Sequence, residues 1–363
     1  LRRHVTRLRR HLPFLHAIKH THPALTRRAI GQIKLQRREI EPPFFHVGIV
    51  ALDAVLIEKG KEICASADSE RVIGSILEKF PNVNMVAHRI VHGGKNYTSA
   101  TLLNDDIIRE LEMFSPFVPL HQPHNLNGYR IVKKMRPDIP QYGCFDTGFH
   151  ATCDALHTAL PVPKDLRDAG LRRYGFHGLS YNWIARQISV GRVVVAHLGS
   201  GASLCAMRDG KSVDTTMGLT ALEGLPMATR SGTIDPGFSL YLSEHLGYSA
   251  EQIEDILYNQ SGLKGLSGIS NDFKTLMDSS DAHARFAIDY FIFKTAQHVA
   301  MMVVSLGGMD SLVFTGGIGE NAEIIRRRIC AHLSFLPPFD VQVIQTNEER
   351  MMAYQVKDVM ESH

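Results

Sequence analysis

Three glycine-rich loops in this chain each follow a short apolar segment. The pairs are VNMVAHRIV (83–91) before His92-Gly93-Gly94, VVVAHL (193–198) before Gly199-Ser200-Gly201, and SLVFT (311–315) before Gly316-Gly317. Apolar segments of this length are typical of buried strands, and a glycine loop then ends each strand. Strands that alternate with helices form a parallel or mixed sheet, and ligands bind at the ends of its strands. We therefore predict an α/β protein with a binding site at these loops.

Helical patterns separate the predicted strands. Asn104 is a predicted N-cap for DDIIRELEMF, and NLNGYRIVKKM predicts a second helix that ends before Pro137. QYGCFDT then returns as a strand, and residues 284–306 predict a long, largely apolar helix. These elements strengthen the α/β assignment.

The composition excludes several classes of protein. A chain of 363 residues favours two domains, and 44% apolar with 21% charged residues is typical of a globular protein. No apolar run is long enough to span a bilayer, so we expect no membrane partner. The five cysteines contain no Cys-x-x-Cys pair, which argues against a disulfide framework and a zinc site. We expect a cytoplasmic protein.

The net charge of +3 conceals a basic first segment. Residues 1–38 contain eleven Lys or Arg and no Asp or Glu, so the rest of the chain carries a net charge of −8. The segment has the composition of a mitochondrial transit peptide, of a basic nucleic-acid arm, or of a shifted reading frame, and all three interpretations stay open. The acidic remainder argues against nucleic acid as its partner.

The turn Gly199-Ser200-Gly201 allows two interpretations. Glycines at a strand end usually form a hairpin, which is the favoured interpretation of this turn taken alone. The alternative is a phosphate site, in which glycine lets the ligand approach while backbone N–H groups and the hydroxyls of Ser200 and Ser203 donate. The loop GGIGEN (316–321) before AEIIRRRI offers the N-terminus of a helix to an anion. Together the two loops favour a nucleotide ligand.

Four side chains that could bind a carboxylate, a phosphoryl group or Mg²⁺ lie near glycines. Arg89 and Arg230 each precede a Gly- or Ser-rich loop, and a guanidinium can bind carboxylate or phosphoryl oxygens through two hydrogen bonds. Asp146 suits either Mg²⁺ or a turn cap, and His177 suits either a phosphoryl contact or the protein core. The spacing of the other histidines favours structural roles for His88, His92, His121, His124, His150 and His197.

Longer motifs carry a resemblance to a known family. In chain order they are HRIVHGG, SPFVPLHQPHNL, FDTGFH, RRYGFHGLSY, HLGSGASL, GKSVDTTMGLTALEGLPMATRSGTIDPG, FTGGIGEN and TNEE. The sequence from roughly residue 44 to 363 resembles the acetate and propionate kinase family, within the actin, hexokinase and chaperone-ATPase superfamily. This implies an actin-like (ribonuclease-H-like) ATPase fold with the active site in a cleft between two α/β domains. It also implies reversible, Mg²⁺-dependent phosphoryl transfer from ATP to acetate, which gives ADP and acetyl phosphate.

The resemblance also implies roles for individual residues. The implied catalytic residues are Asp146, His177, Arg230 and Arg89, and the implied Mg²⁺ ligands are Glu348 and Asp146. The implied contacts of the acyl substrate are Arg89, Val91, Leu120, Phe176 and Ala221. The implied contacts of ATP or ADP are His197, Gly199, Ser200, Gly201, Gly316, Gly317, Ile318, Gly319 and Asn321.

The resemblance divides the chain into parts. We expect an atypical basic segment (1–40), an acyl-kinase domain (41–147) joined by a C-terminal helix (348–363), and a nucleotide-binding domain (148–347). Relatives of this kind also imply a homodimer.

The sequence departs from the family pattern in four features. The family loop Asn-x-Gly-Ser-Ser-Ser has no counterpart in the printed sequence, Ser200 replaces a usual asparagine, and the distance from GGIGEN to TNEE is short. Losing one such phosphate donor costs about a hundredfold or more in rate. A catalytically impaired nucleotide-binding protein therefore stays open as an alternative. Ala221 replaces a frequent proline and predicts a roomier acyl pocket, so a propionate-preferring kinase is the other alternative.

Overall fold

The computed structural model describes the backbone of residues 44–45, 47–50 and 63–64, and it describes residues 69–188 and 190–362 in full. The basic segment 1–40, with its three interpretations, lies outside the described residues. Residues Pro43–His363 form one compact unit. Among the helices that the structure describes, none combines the length and the apolar character needed to cross a membrane.

The described strands, in chain order, are β1 (Phe44–Phe45), β2 (Val47–Val50), β3 (Ile63–Cys64), β4 (Met85–Ile90), β5 (Thr101–Leu102), β6 (Gln141–Phe145), β7 (Arg192–Leu198), β8 (Ala202–Arg208), β9 (Lys211–Thr215), β10 (Ser311–Thr315) and β11 (Asp340–Val343). The described α-helices are α1 (Ser69–Lys79), α2 (Asp105–Glu112), α3 (Gln122–Met135), α4 (Ala155–Thr158), α5 (Lys164–Asp168), α6 (Gly178–Ala185), α7 (Gly237–Leu246), α8 (Ala250–Asp255), α9 (Gly262–Ser267), α10 (Phe273–Asp278), α11 (Ala282–Leu306), α12 (Gly316–Asn321), α13 (Glu323–His332) and α14 (Glu348–Glu361). Short 3-10 turns occupy Ser115–Phe117 and Gly148–Thr152, and a π-turn occupies Ile256–Gln260.

The first sheet has the strand order β2-β4-β6-β5, with β4 and β6 parallel at its centre and the outer strands antiparallel to them. The predicted strands at 83–91 and in QYGCFDT are therefore confirmed as β4 and β6. The predicted helices beside them are α2 and α3. Asn104 caps α2 as expected, because its Oδ1 accepts the Ile107 N–H at 2.9 Å.

The second sheet has the order β11-β10-β7-β8-β9, in which β11, β10 and β7 are parallel while β8 and β9 run antiparallel to their neighbours. The predicted long helix is α11, which begins at Ala282 because Asp281 caps it. Its apolar residues share one core with β7 and β8. Leu198 pairs with Ala202 across the strand pair, so the hairpin interpretation of Gly199-Ser200-Gly201 is confirmed.

The C-terminal helix α14 packs against the first sheet. Met352, Ala353 and Val356 on α14 form a buried cluster with residues of β4 and β6 that includes Met85 and Cys144. This packing brings Glu348, the first residue of α14, towards the end of β4 where Arg89 lies. The division into residues 41–147 and 148–347 stays a prediction.

Candidate functional site

Arg89 and two carboxylates form the charged centre of the candidate site. Arg89 is the fifth residue of β4, and Asp146 directly follows the parallel neighbour β6, so both lie at the same end of the sheet. Arg89 Nε and Nη2 donate to Asp146 Oδ2 at 3.1 and 2.8 Å. Arg89 Nη1 lies 2.5 Å from Glu348 Oε2. One guanidinium thus faces two carboxylates that come from distant parts of the chain.

Burial and charge act in opposite directions on Arg89. Burial lowers the pKa of its guanidinium, but the negative charges of Asp146 and Glu348 more than offset that effect, so the pKa is raised above its ordinary value. Arg89 therefore stays protonated at every physiological pH. It supplies a fixed positive charge at the strand ends.

The two predicted phosphate loops lie side by side. Because β7 and β10 are parallel neighbours, the turn at 199–201 and the loop at 316–317 leave the same edge of the second sheet. A Cβ atom on Gly199 would lie 3.9 Å from the Gly317 backbone nitrogen, and one on Gly316 would lie 2.8 Å from the Leu198 carbonyl oxygen. Gly316 also has a φ of +78°, which glycine adopts without strain. A residue larger than glycine at position 316 would press on the backbone of β7, whereas position 199 has room for a Cβ.

The predicted loop 316–321 is itself a short helix, α12, and the helix predicted after it is α13. Its backbone is partly engaged already, because Glu320 Oε1 accepts the Gly316 N–H at 2.9 Å and the Thr346 N–H at 3.0 Å. Asn321 Nδ2 donates to the Gly317 carbonyl at 2.9 Å. Gly317 itself is exposed, and a Cβ there would meet open space. Gly317, rather than Gly316, is therefore the position of this loop open to a ligand.

His177 and Arg230 converge on Gly201. A Cβ on Gly201 would lie 3.2 Å from His177 Nε2 and 3.3 Å from Arg230 Nη2. His177 has a φ of +59°, an uncommon conformation for a residue with a side chain, and it immediately precedes α6. Its pKa is lowered well below the ordinary value, first by burial and then by the positive charges nearby, which include Arg89 and Arg230. The structure thus brings together the two arginines and the histidine that the sequence singled out.

Arg230 differs from Arg89 in its surroundings. Its Nη1 donates to the Ala221 carbonyl at 2.9 Å, and no carboxylate among the described residues forms an ion pair with it. Burial lowers the pKa of Arg230. A half-buried guanidinium without a carboxylate partner is a site for an anion from outside the protein.

His121, which the sequence pattern assigned to a structural role, lies near the same group. Its pKa is lowered to about 3, first by burial and then by the charges of Arg230 and Arg89. His121 immediately precedes α3, at the end of the motif segment SPFVPLH. The motif SPFVPLHQPHNL contains His121, but its spacing from Arg89 and Arg230 in the chain does not predict this proximity.

An apolar cluster lies beside these polar groups. Val91, Phe176 and Ala221 belong to one buried core together with Val118 and Met227. Leu120 lies outside this core and is half-buried in the turn before α3. Three of the four predicted apolar contacts thus belong to one buried core, and their role at an acyl pocket stays a prediction.

Magnesium was predicted at Asp146 and Glu348. In the part of the chain that the structure describes, no group of three or more His, Cys, Asp or Glu side chains could hold a metal ion. Two carboxylates around one guanidinium nevertheless fit Mg²⁺, because this ion commonly takes one or two carboxylates and completes its shell with water and substrate phosphate oxygens.

The sequence model of the Acetokinase family matches residues 61–353. This chain belongs to the acetokinase family. An acetate kinase of Rhodopseudomonas palustris is 47% identical over 275 residues, which cover 73% of this chain and 69% of that relative. The predicted family and kinase class are thereby confirmed.

Solved structures of this family share the fold. A propionate kinase from Francisella tularensis matches with a TM-score of 0.75 and 35% identity, covering 80% of this chain and 84% of that one. An acetate kinase from Porphyromonas gingivalis matches with a TM-score of 0.73 and 31% identity over the same shares of the two chains. The predicted α/β fold of actin-like ATPases is confirmed, and the roles of the site residues stay predictions.

Proposed function

We propose that this acetokinase-family chain transfers the terminal phosphoryl group of ATP to acetate, reversibly, to give ADP and acetyl phosphate. The observation that carries the proposal is the Arg230 guanidinium, half-buried beside His177 and without a carboxylate partner among the described residues. An ionised substrate oxygen would supply the missing negative charge. The apolar residues Val91, Phe176 and Ala221 support a small acyl group beside that charge.

The chemistry requires little more than positioning and charge. Acetate is ionised at neutral pH, so its oxygen can attack the terminal phosphorus without a base, while the bond from that phosphorus to the bridging oxygen of ADP breaks. The protein must align two anions and offset the negative charge on the phosphoryl oxygens. Arg89 and Arg230 would orient the carboxylate and the phosphoryl group, and His177 Nε2 would contact the latter.

The nucleotide would occupy the edge of the second sheet. The turn Gly199-Ser200-Gly201 would hold the phosphates, with the exposed Ser200 as a hydroxyl donor, and α12 would border the adenosine. Asp146 and Glu348 would hold Mg²⁺, which when bound offsets phosphate charge. We assign ATP/ADP and Mg²⁺ as the cofactors on these grounds.

Propionate is the second candidate substrate. The solved propionate kinase from Francisella tularensis is a structural relative, and Ala221 offers a small side chain at the apolar cluster. One extra methylene changes kcat/KM by about ten- to two-hundredfold in a hydrophobic pocket. We expect propionate to react with a kcat/KM within about a hundredfold of that for acetate.

Trapping with hydroxylamine tests the reaction, because acyl phosphates give a coloured hydroxamate. The parent chain should form hydroxamate from acetate and ATP, and more slowly from propionate. Arg230→Gln should lose about a hundredfold or more of the rate, since it removes a positive charge from the reacting group. The matched control is Arg328→Gln on the exposed face of α13, which should retain the parent rate.

The outcome also decides the remaining alternative. A parent chain that binds ATP but forms no hydroxamate from either acid would be the nucleotide-binding protein without turnover. The matched residues cover 69% of the acetate kinase relative, so the activity of this chain is to be measured directly.

We also propose a cytoplasmic homodimer without nucleic acid or membrane as a partner. The four described cysteine side chains are free, which suits a reducing compartment. Helix α7 buries Leu242 and exposes the apolar side chains of Phe238, Leu240 and Leu246, which a second copy would cover in part. Light scattering at micromolar concentration should give twice the chain mass, and a monomer would contradict the dimer.

A further inference from the structure

The segment HGLSY (177–181) places two hydroxyl groups in the first turn of α6. His177 immediately precedes the helix, so Ser180 and Tyr181 lie one turn further on and point to β7 and β8, where His197 and Ser203 lie. The phosphoryl-transfer roles described above use His177 but leave Ser180 and Tyr181 without a function. Both side chains are fully buried.

Tyr181, Ser203 and His177 form the first hydrogen-bonded chain. Tyr181 Oη lies 2.6 Å from Ser203 Oγ, which lies 2.8 Å from His177 Nδ1. Burial raises the pKa of Tyr181 well above its ordinary value, so its hydroxyl keeps its hydrogen. Among the described residues, Ser203 is the one hydrogen-bond partner of that hydroxyl.

The number of hydrogens and acceptors favours one direction of donation along these hydrogen bonds. If Tyr181 donates to Ser203 and Ser203 donates to His177 Nδ1, every hydroxyl hydrogen has an acceptor, and the imidazole hydrogen must lie on Nε2. If Nδ1 carried the hydrogen instead, Ser203 would accept it, and the buried hydroxyl hydrogen of either Ser203 or Tyr181 would have no acceptor. An unsatisfied buried polar group is costly, so the first direction is favoured.

Thr346, Ser180 and His197 form a second chain of the same kind. Thr346 Oγ1 donates to Ser180 Oγ at 2.9 Å, and Ser180 Oγ lies 2.8 Å from His197 Nδ1. If Ser180 donates in turn to His197 Nδ1, the hydrogen of this imidazole also lies on Nε2. Burial lowers the pKa of His197, so the ring is neutral.

The two imidazoles face the same turn. Their rings stack with centroids 4.4 Å apart and an interplanar angle of 24°. A Cβ on Gly201 would lie 3.2 Å from His177 Nε2, and a Cβ on Gly199 would lie 3.9 Å from His197 Nε2. Both Nε2 atoms are thus directed to the glycine turn, on the side opposite their hydroxyl partners.

We propose that Tyr181 with Ser203, and Thr346 with Ser180, are positioning residues that fix the hydrogen of His177 and His197 on Nε2, so that both neutral rings present N–H donors to a phosphate at the glycine turn. The proposal rests on the proposed function for the identity of the ligand. The reverse tautomer would direct an imidazole lone pair at phosphate oxygens and repel them. The hydroxyl chains therefore act through the histidines and touch no substrate.

Nitrogen-15 NMR of the histidine side chains tests the proposal without any turnover. In the free parent protein, His177 should show the Nε2–H tautomer at pH 7. Tyr181→Phe removes the hydroxyl that decides the direction, so His177 should become a mixture with the Nδ1–H tautomer. Tyr129→Phe, a matched loss of a phenolic hydroxyl on α3, should leave His177 unchanged.

Kinetics give the second readout. Tyr181→Phe and Ser203→Ala should each lower kcat by about threefold to tenfold with KM for both substrates within twofold, because kcat follows the fraction of enzyme in the competent tautomer. Since Tyr181 acts through Ser203, the double variant should lose no more than Ser203→Ala alone. Purely structural roles would instead give additive losses.

The outcomes separate this proposal from the proposed function. An Nδ1–H tautomer of His177 in the parent, or additive losses in the double variant, would overturn the proposal. A parent that shows the Nε2–H tautomer but makes no acyl phosphate would overturn the proposed function alone. If Ser203→Ala fails to fold, Thr346→Val tests the second chain, with a tautomer mixture expected at His197.

Discussion

At the scale of single residues, the two arginines of the site differ in what they contribute to the folded state. Arg89 faces Asp146 and Glu348, so its charge is balanced within the protein. Arg230 donates to a backbone carbonyl, and no carboxylate among the described residues balances its charge. Removing a charge from a paired buried group leaves its partner uncompensated, whereas removing an unbalanced charge does not.

This difference predicts unequal effects on stability for the same substitution at the two positions. Arg89→Gln should lower the free energy of unfolding by about 3 kcal/mol or more, because two buried carboxylates lose their guanidinium. Arg230→Gln should change it by less than about 1 kcal/mol while activity falls about a hundredfold. Urea unfolding of both variants measures the difference. Equal destabilisation by the two substitutions would contradict the assigned pairing.

At the scale of elements, the hairpin at 199–201 connects β7 to β8 and also borders the candidate site. The sequence left a hairpin and a phosphate site as alternatives, and the pairing of Leu198 with Ala202 shows the hairpin, beside which His177 and Arg230 converge. The two interpretations are thus compatible. The close approach of His177 and Arg230 leaves little room for a side chain at Gly201.

Gly201→Ala should therefore impair the site more than the fold. Its φ is not positive, so alanine meets no backbone strain, but the methyl group would press on His177 Nε2 and Arg230 Nη2 from 3.2 and 3.3 Å. We expect kcat to fall about tenfold, since small displacements of catalytic groups are costly, with little change in Tm. The matched control is Gly74→Ala in α1, where the nearest atom to the added methyl group, Met135 Cε, lies 3.4 Å away. A Gly201→Ala enzyme with parent kcat would show that neither side chain must stay in place.

At the scale of the whole molecule, buried neutral histidines couple the fold to pH. Burial lowers the pKa of His88 and His150 to about 4 and that of His92 and His121 to about 3. In the unfolded chain the same imidazoles bind a proton near pH 6.5. Between these values the unfolded state binds more protons than the folded state, so the free energy of unfolding falls as the pH is lowered below 6.5.

We expect acid unfolding to begin well above the range in which carboxylates titrate. Each such histidine contributes up to about 1.4 kcal/mol per pH unit below 6.5, so the four together should lower the free energy of unfolding by up to about 8 kcal/mol between pH 7 and 5. Urea titrations at pH 7, 6 and 5 measure this slope. His88→Gln keeps a donor beside Gln141 but cannot titrate, and it should flatten the slope by about one proton. A slope near zero would mean that these histidines are protonated in the folded state.

Local sequence patterns predicted much of the fold because their causes are local. The cap at Asn104, the apolar runs of β4, β7 and β10, and the glycine loops after them all depend on residues a few positions apart. Leu120 and His121 show the limit of such reasoning. Leu120 is half-buried and its place at the acyl pocket stays a prediction, whereas the charges of Arg89 and Arg230 act on His121, a proximity that its position in the sequence does not predict.

The sequence by itself determined the strand and loop order, the family, and the residue types available for phosphoryl chemistry. The tertiary structure alone decided which of them meet: Glu348 with Arg89 across 259 positions, Thr346 with Ser180 across 166, and His177 with Ser203 across 26. The physical reason is that charge pairing and hydrogen-bond direction depend on distances of about 3 Å, which arise from packing between elements remote in the chain. A pattern of residue types does not determine those distances, because they arise only when the sheets and α14 pack together.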